Sequence, residues 1–88
     1  MSGPRLTPKA RLKWDGREKR YLLLYPERGL ALSDAASAIL KLCDGSHGVD
    51  GIVEELSRAR PSASVDTIRA DVIAFLAEMR KRGIVQDS

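Results

Sequence analysis

The residue types that build most active sites are almost missing from this 88-residue chain, which has one cysteine, Cys43, and one histidine, His47. A lone cysteine closes no internal disulfide and has no second thiolate with which to hold a metal, so a disulfide scaffold, a dithiol redox site and a thiolate zinc site are excluded. With one histidine and one cysteine there is almost nothing from which to assemble a triad or a cluster of metal ligands, and no catalytic residue, metal ligand or cofactor is expected. No apolar run is long enough to cross a bilayer, so no membrane partner is expected. Met1 to Ala10 holds two prolines and no apolar block. It therefore reads as a flexible lead over residues 1–8 rather than a secretory signal, and a cytoplasmic protein is expected. Internal repeats and linkers are absent too, and 88 residues leave room for one domain with a small core.

What is present is unevenly charged. The net charge is +3, yet residues 1–28 carry eight Lys or Arg against three acids, and residues 29–88 carry seven against nine. Nucleic-acid binding draws its affinity from cations meeting phosphates, and recognition helices normally sit in the basic part of a domain. Here the basic part reads as sheet. Arg11–Asp15 alternates, with Leu12 and Trp14 on one side, and Asp15-Gly16 supplies a turn. Tyr21–Tyr25 is apolar on both parities, as in a central strand. Pro26 and Gly29 then turn the chain into a third short strand, Gly29–Leu32.

Helical spacing takes over at Ser33, a capping residue. Ala36, Ile39, Leu40 and Cys43 mark a first helix that Asp44-Gly45 ends. A second runs from about Val49 to Ala59, with Ile52, Val53 and Leu56 inward and Pro61 stopping it. A third is opened by Ser64 and closed by Gly83, with Val65, Ile68, Val72, Phe75, Leu76 and Met79 as its stripe. Ile84 and Val85 add a short tail strand. The expected fold class is α+β: a three-stranded antiparallel meander followed by three helices, in the manner of a winged helix-turn-helix. The domain is expected over residues 9–85, with a tail at 86–88. Exposed strand edges make a monomer and a strand-exchanged homodimer both compatible with the pattern.

Individual residues mostly have plain explanations. His47 lies in a polar loop and reads as a solvated turn residue, Cys43 as a small core residue, and Glu54 and Glu55 as a solvated helix face. Trp14 fits core packing better than partner contact. Arg17, Lys19 and Arg20 form a cationic hairpin turn that either blunts a free edge or meets an anionic partner. Two features combine. The third strand is marginal, so the main-chain groups of Gly29, Leu30, Ala31 and Leu32 are available to an extended peptide. On the third helix, at about 100° per residue, Arg69, Ile73, Leu76 and Arg80 fall on one shoulder beside the core stripe, an apolar strip between two guanidinium groups.

The residues Arg11-Leu12-Lys13-Trp14-Asp15, Leu22-Leu23-Leu24-Tyr25-Pro26-Glu27, Leu30-Ala31-Leu32, Ala36, Ile39-Leu40, Cys43-Asp44-Gly45 and Ile52-Val53-Glu54-Glu55-Leu56 together resemble the PqqD family of pyrroloquinoline quinone (PQQ) biosynthesis, over about Leu6 to Val85. Ser33 stands where the family has Asn, which keeps the capping chemistry, and Arg20-Tyr21 stands where a bulkier aromatic is usual. The resemblance implies a non-catalytic peptide chaperone, akin to the recognition elements of other ribosomally made, modified peptides. It implies the precursor peptide PqqA as cargo, held against the third strand and third helix. A second implied partner is the radical SAM enzyme PqqE, which crosslinks a glutamate and a tyrosine of that peptide. Arg17, Lys19 and Arg20 are the expected contact with that enzyme. The competing reading, a DNA-binding winged helix, would use Ser62, Ser64, Thr67 and Arg69 at the start of the third helix. The acidic balance of the helical half argues against a nucleic-acid partner.

Overall fold

The computed structural model describes residues 3–25 and 28–87. Among them are five strands and three helices: β1 (Pro4–Leu6), β2 (Arg11–Asp15), β3 (Arg20–Tyr25), β4 (Arg28–Ala31), α1 (Asp34–Lys41), α2 (Val49–Ala59), α3 (Val65–Lys81) and β5 (Val85–Asp87). β2, β3 and β4 form an antiparallel sheet in that order, with β3 central. The α+β architecture read from the sequence is therefore present, and the two margins of the sheet are β2 and β4. The Pro26 turn expected between β3 and β4 lies outside the described residues.

Local chemistry accounts for the helix boundaries. Ser33 caps α1 by accepting the Ala36 amide at 3.1 Å, which satisfies one of the amides that a helix start leaves without a partner. Ser64 occupies the N-cap of α3 without a side-chain capping bond, its carbonyl taking the Ile68 amide instead. Gly83 adopts φ 74° just past α3, the left-handed exit in which a β-carbon would be strained. α1 ends at Lys41, earlier than the Asp44-Gly45 signal suggested, with the Leu42 amide shared between the Ile39 and Leu40 carbonyls.

The core lies between the sheet's inner face and the helices. Leu23, Leu40, Ile52, Val53, Val72, Leu76 and Ile84 are its most completely buried side chains, and each removes enough apolar surface from water to contribute about 1.5–3 kcal/mol. Val65, expected in the α3 stripe, is half exposed because it sits at the helix start, beyond the reach of the sheet.

The ends of the chain depart from expectation. Pro4–Leu6, placed by the sequence in an unstructured lead, is the strand β1, and it pairs antiparallel with β5, which takes in most of the tail expected at 86–88. The Leu6 amide donates to the Cys43 carbonyl at 3.2 Å, the Thr7 amide to Ile84 at 2.9 Å, and the Gly45 amide to Pro4 at 3.2 Å. A β-carbon on Gly3 would collide with the His47 carbonyl. The first residues are thus clamped between the α1–α2 loop and the end of the chain.

Candidate functional site

The open main-chain groups of β4 can be assigned from one hydrogen bond. The Leu32 amide donates to the Tyr21 carbonyl at 3.0 Å, so in an antiparallel ladder with the pairs Leu23↔Leu30 and Leu22↔Ala31 the inward-bonding residues alternate. Leu30 and Leu32 turn their amides toward β3. Gly29 and Ala31 turn theirs, with their carbonyls, away from the sheet. No described strand lies beyond β4, and Gly29, Leu30 and Ala31 are all exposed. Leu30 shares the inward face with buried Leu23 and Leu32, yet is 37% exposed because it stands on the margin. Leu32 is core.

The expected helical strip is split between core and surface. Leu76 has 0% exposure and is part of the core, so it has no surface to offer a ligand. Arg69 pairs with Asp50 in the first turn of α2, and Arg80 pairs with Asp87 of β5 at 3.0 Å. That shoulder, with Ile73 50% exposed on it, therefore turns toward α2 and the β1–β5 pair. The opposite shoulder carries Asp71, Phe75 and Arg82. Asp71, Ile68 and Val72 share a small depression with Ala35 and Ile39 of α1 and Leu56 and Arg60 of α2. At the other end Arg82 bonds Glu78 at 2.9 Å and is also influenced by the Tyr25 phenol, which belongs to the residue paired with Arg28 at the start of β4. Half-buried Phe75, between Asp71 and Arg82 in the α3 sequence, packs on the core. The sequence read Phe75 only as part of the apolar stripe and did not single out Asp71 or Arg82, because a helical wheel shows two shoulders and does not say which one a distant strand will meet.

Cys43 is buried, donates to the Ile39 carbonyl at 3.3 Å, and burial pushes its thiol up to about 11, so it is a protonated core side chain rather than a nucleophile. His47 Nδ1 stands 3.1 Å from the Asp44 carboxylate within the α1–α2 loop. Glu54 and Glu55 both pair with Arg58 along the outside of α2. Trp14 is 52% exposed and so is not a core residue: it points inward, but from the margin of the sheet. Of the hairpin cations, Lys19 and Arg20 share a cleft with Trp14 whereas Arg17 does not line it. Ser62, Ser64 and Thr67 are exposed around the start of α3, where Asp66 and the Asp50 partner of Arg69 add negative charge. No cluster of three or more metal-ligating side chains, and no helix long and apolar enough to cross a membrane, occurs among the described residues.

Residues 20–85, from β3 into β5, match the family described as coenzyme PQQ synthesis protein D, PqqD. The chain belongs to the PqqD family. It is 39% identical over 82 residues to a PqqA binding protein of Methylococcus capsulatus, an alignment spanning 93% of this chain and 85% of that one. It is 38% identical over 88 residues to a PqqA binding protein of Rhodopseudomonas palustris, spanning 100% and 85%. The fold is similar to the solution NMR structure of the PqqD truncation of Methylobacterium extorquens PqqCD, with a TM-score of 0.79, 35% identity and coverage of 94% of this chain and 87% of that one. That protein is described as a functional, stand-alone recognition element for ribosomally synthesized and post-translationally modified peptides. The crystal structure of PqqD from Xanthomonas campestris is similar at a TM-score of 0.56 and 30% identity, covering 92% and 89%.

Proposed function

We propose that this PqqD-family chain is a cytoplasmic, non-catalytic chaperone that binds the precursor peptide PqqA as a fourth strand on β4 and presents it to the radical SAM enzyme PqqE. The observation that carries the reading is the inward Leu32 amide, which leaves Gly29 and Ala31 with outward donors and acceptors on a sheet margin without a described neighbour. Relatives named for PqqA binding support the identity of the cargo.

Strand addition supplies affinity through the backbone, which every peptide has, so selectivity must come from side chains at the groove. Leu30 and Phe75 would offer an apolar floor, with the Asp71 carboxylate toward one end and the Arg82–Glu78 pair toward the other. A peptide with an apolar residue beside a basic one suits that order. Arg69, Ile73 and Arg80, on the far shoulder of α3, have no part in this groove.

Ala31→Pro tests the pairing. Proline removes the outward amide without touching a bond inside the sheet, and edge strands tolerate it. Isothermal titration with PqqA should show at least a tenfold loss of affinity, about 1.4 kcal/mol, while the circular dichroism spectrum and melting cooperativity persist. Unaltered affinity in the folded variant would sink the β4 assignment.

A further inference from the structure

Trp14 is the only tryptophan in the chain and faces a cleft of about 460 Å³ at the β2 margin of the sheet. One wall is built by Trp14, Lys19, Arg20 and Tyr21, and the other by α1 and α2 through Lys41 and Leu56. Trp14 and Tyr21 are cross-strand partners whose rings meet edge to face at 5.1 Å, and the Lys41 ammonium lies 4.1 Å from the centre of the Tyr21 ring. The aromatic wall is thus pre-arranged while Trp14 remains half exposed.

The charge around the cleft is not balanced. Arg20 and Glu55 have their own partners in Glu18 and Arg58. Asp34 sits in the first turn of α1, where the helix dipole offsets its charge. Lys19 and Lys41 have no ion-pair partner among the described residues. Lys19 also adopts φ 56°, a left-handed conformation that disfavours a residue with a β-carbon. The hairpin therefore keeps a cation at a position that glycine would fill more comfortably.

We propose that this cleft is a second docking surface, which takes an acidic protein surface presenting a bulky apolar side chain, and that the radical SAM partner supplies it. The proposal rests on the reading under Proposed function and adds where that enzyme binds. A half-exposed Trp backed by a partly buried Tyr belongs to the residue types that dominate interface energetics, and the positive charge without an ion-pair partner among the described residues selects an acidic partner. The cleft is a trough at the end of a sheet, with its largest side chain half in water, which suits a protruding side chain of a folded protein. β2 and β4 are opposite margins separated by β3, about 10 Å apart at ordinary strand spacing, so peptide and enzyme can be held together.

Calorimetric titration of the wild-type, Trp14→Ala and Lys19→Gly proteins, separately with PqqA and with purified PqqE, tests this. Trp14→Ala should weaken enzyme binding by about tenfold or more, and Lys19→Gly by about threefold with the difference fading as salt is added. Both should leave peptide affinity within about twofold. Lys19→Gly relieves the backbone as it removes the charge, so a loss there is not misfolding. Enzyme affinity unchanged in both variants, or a wild-type protein that takes up peptide but not enzyme, overturns the docking surface. So does an equal loss of peptide affinity, which would give the cleft to the peptide, or altered self-association on sedimentation, which would give it to a second copy. A wild-type protein that fails to bind PqqA sinks the chaperone reading instead, and the enzyme titrations still decide the cleft.

Discussion

Leu76 and Ile73 are three residues apart on α3 and meet opposite fates, 0% against 50% exposed. Truncating Leu76 leaves a hole in a small core, so Leu76→Ala should cost about 2–5 kcal/mol in thermal or urea unfolding. Ile73→Ala should cost below about 1 kcal/mol and leave PqqA affinity as it is. If Ile73→Ala unbinds the peptide from a folded protein, the groove belongs to the Arg69–Arg80 shoulder after all. Both residues are apolar at helical spacing, so sequence placed them on one strip. The angle between them on the helix separates core from surface, and only the position of the sheet fixes where that division falls. Trp14 is the same lesson in a strand. Alternation correctly turned it to the inner face, but the inner face ends at β2 and nothing covers a side chain that large there.

Elements with strong punctuation were legible almost to the residue. α2 and α3 begin and end where Pro61, Ser64 and Gly83 put them, β2 follows its alternation, and β3 and β4 lie within one residue of Tyr21–Tyr25 and Gly29–Leu32. β1 was not legible, because a three-residue strand carries no periodicity and its partner β5 lies at the other end of the chain. What holds β1 is partly the α1–α2 loop, organised by Asp44. Its carboxylate accepts from the Ser46 hydroxyl at 2.7 Å, the Ser46 amide at 2.9 Å and His47 Nδ1 at 3.1 Å, and these bonds, the Ser46 hydroxyl foremost, hold its pKa well below the ordinary 3.8. A depressed carboxylate stabilises the fold above its unfolded pKa and loses that contribution as pH falls through the folded one. Asp44→Asn should therefore be less stable than wild type near neutrality, and the gap should shrink progressively below about pH 4. Chemical denaturation across a pH series reads this directly, and a gap independent of pH would show that the loop does not depend on the charge.

At the scale of the whole molecule, the two proposed tasks fall on opposite margins of the sheet. The β4 margin has outward backbone groups with no partner strand among the described residues, the β2 margin carries Trp14 with Lys19 and Lys41 across the same cleft, and the shared core behind them keeps the two at fixed spacing. Electrostatics of the chain as a whole agree with this division, since the positive charge collects in the sheet-forming half rather than on a recognition helix. The central claim is that β4 gains a strand when PqqA arrives, and amide hydrogen exchange resolved by residue measures it most directly. On addition of PqqA the Gly29 and Ala31 amides should become protected, while those of Leu30 and Leu32, already bonded to β3, should change little. Peptide binding that leaves Gly29 and Ala31 exchanging as fast as before would contradict the account.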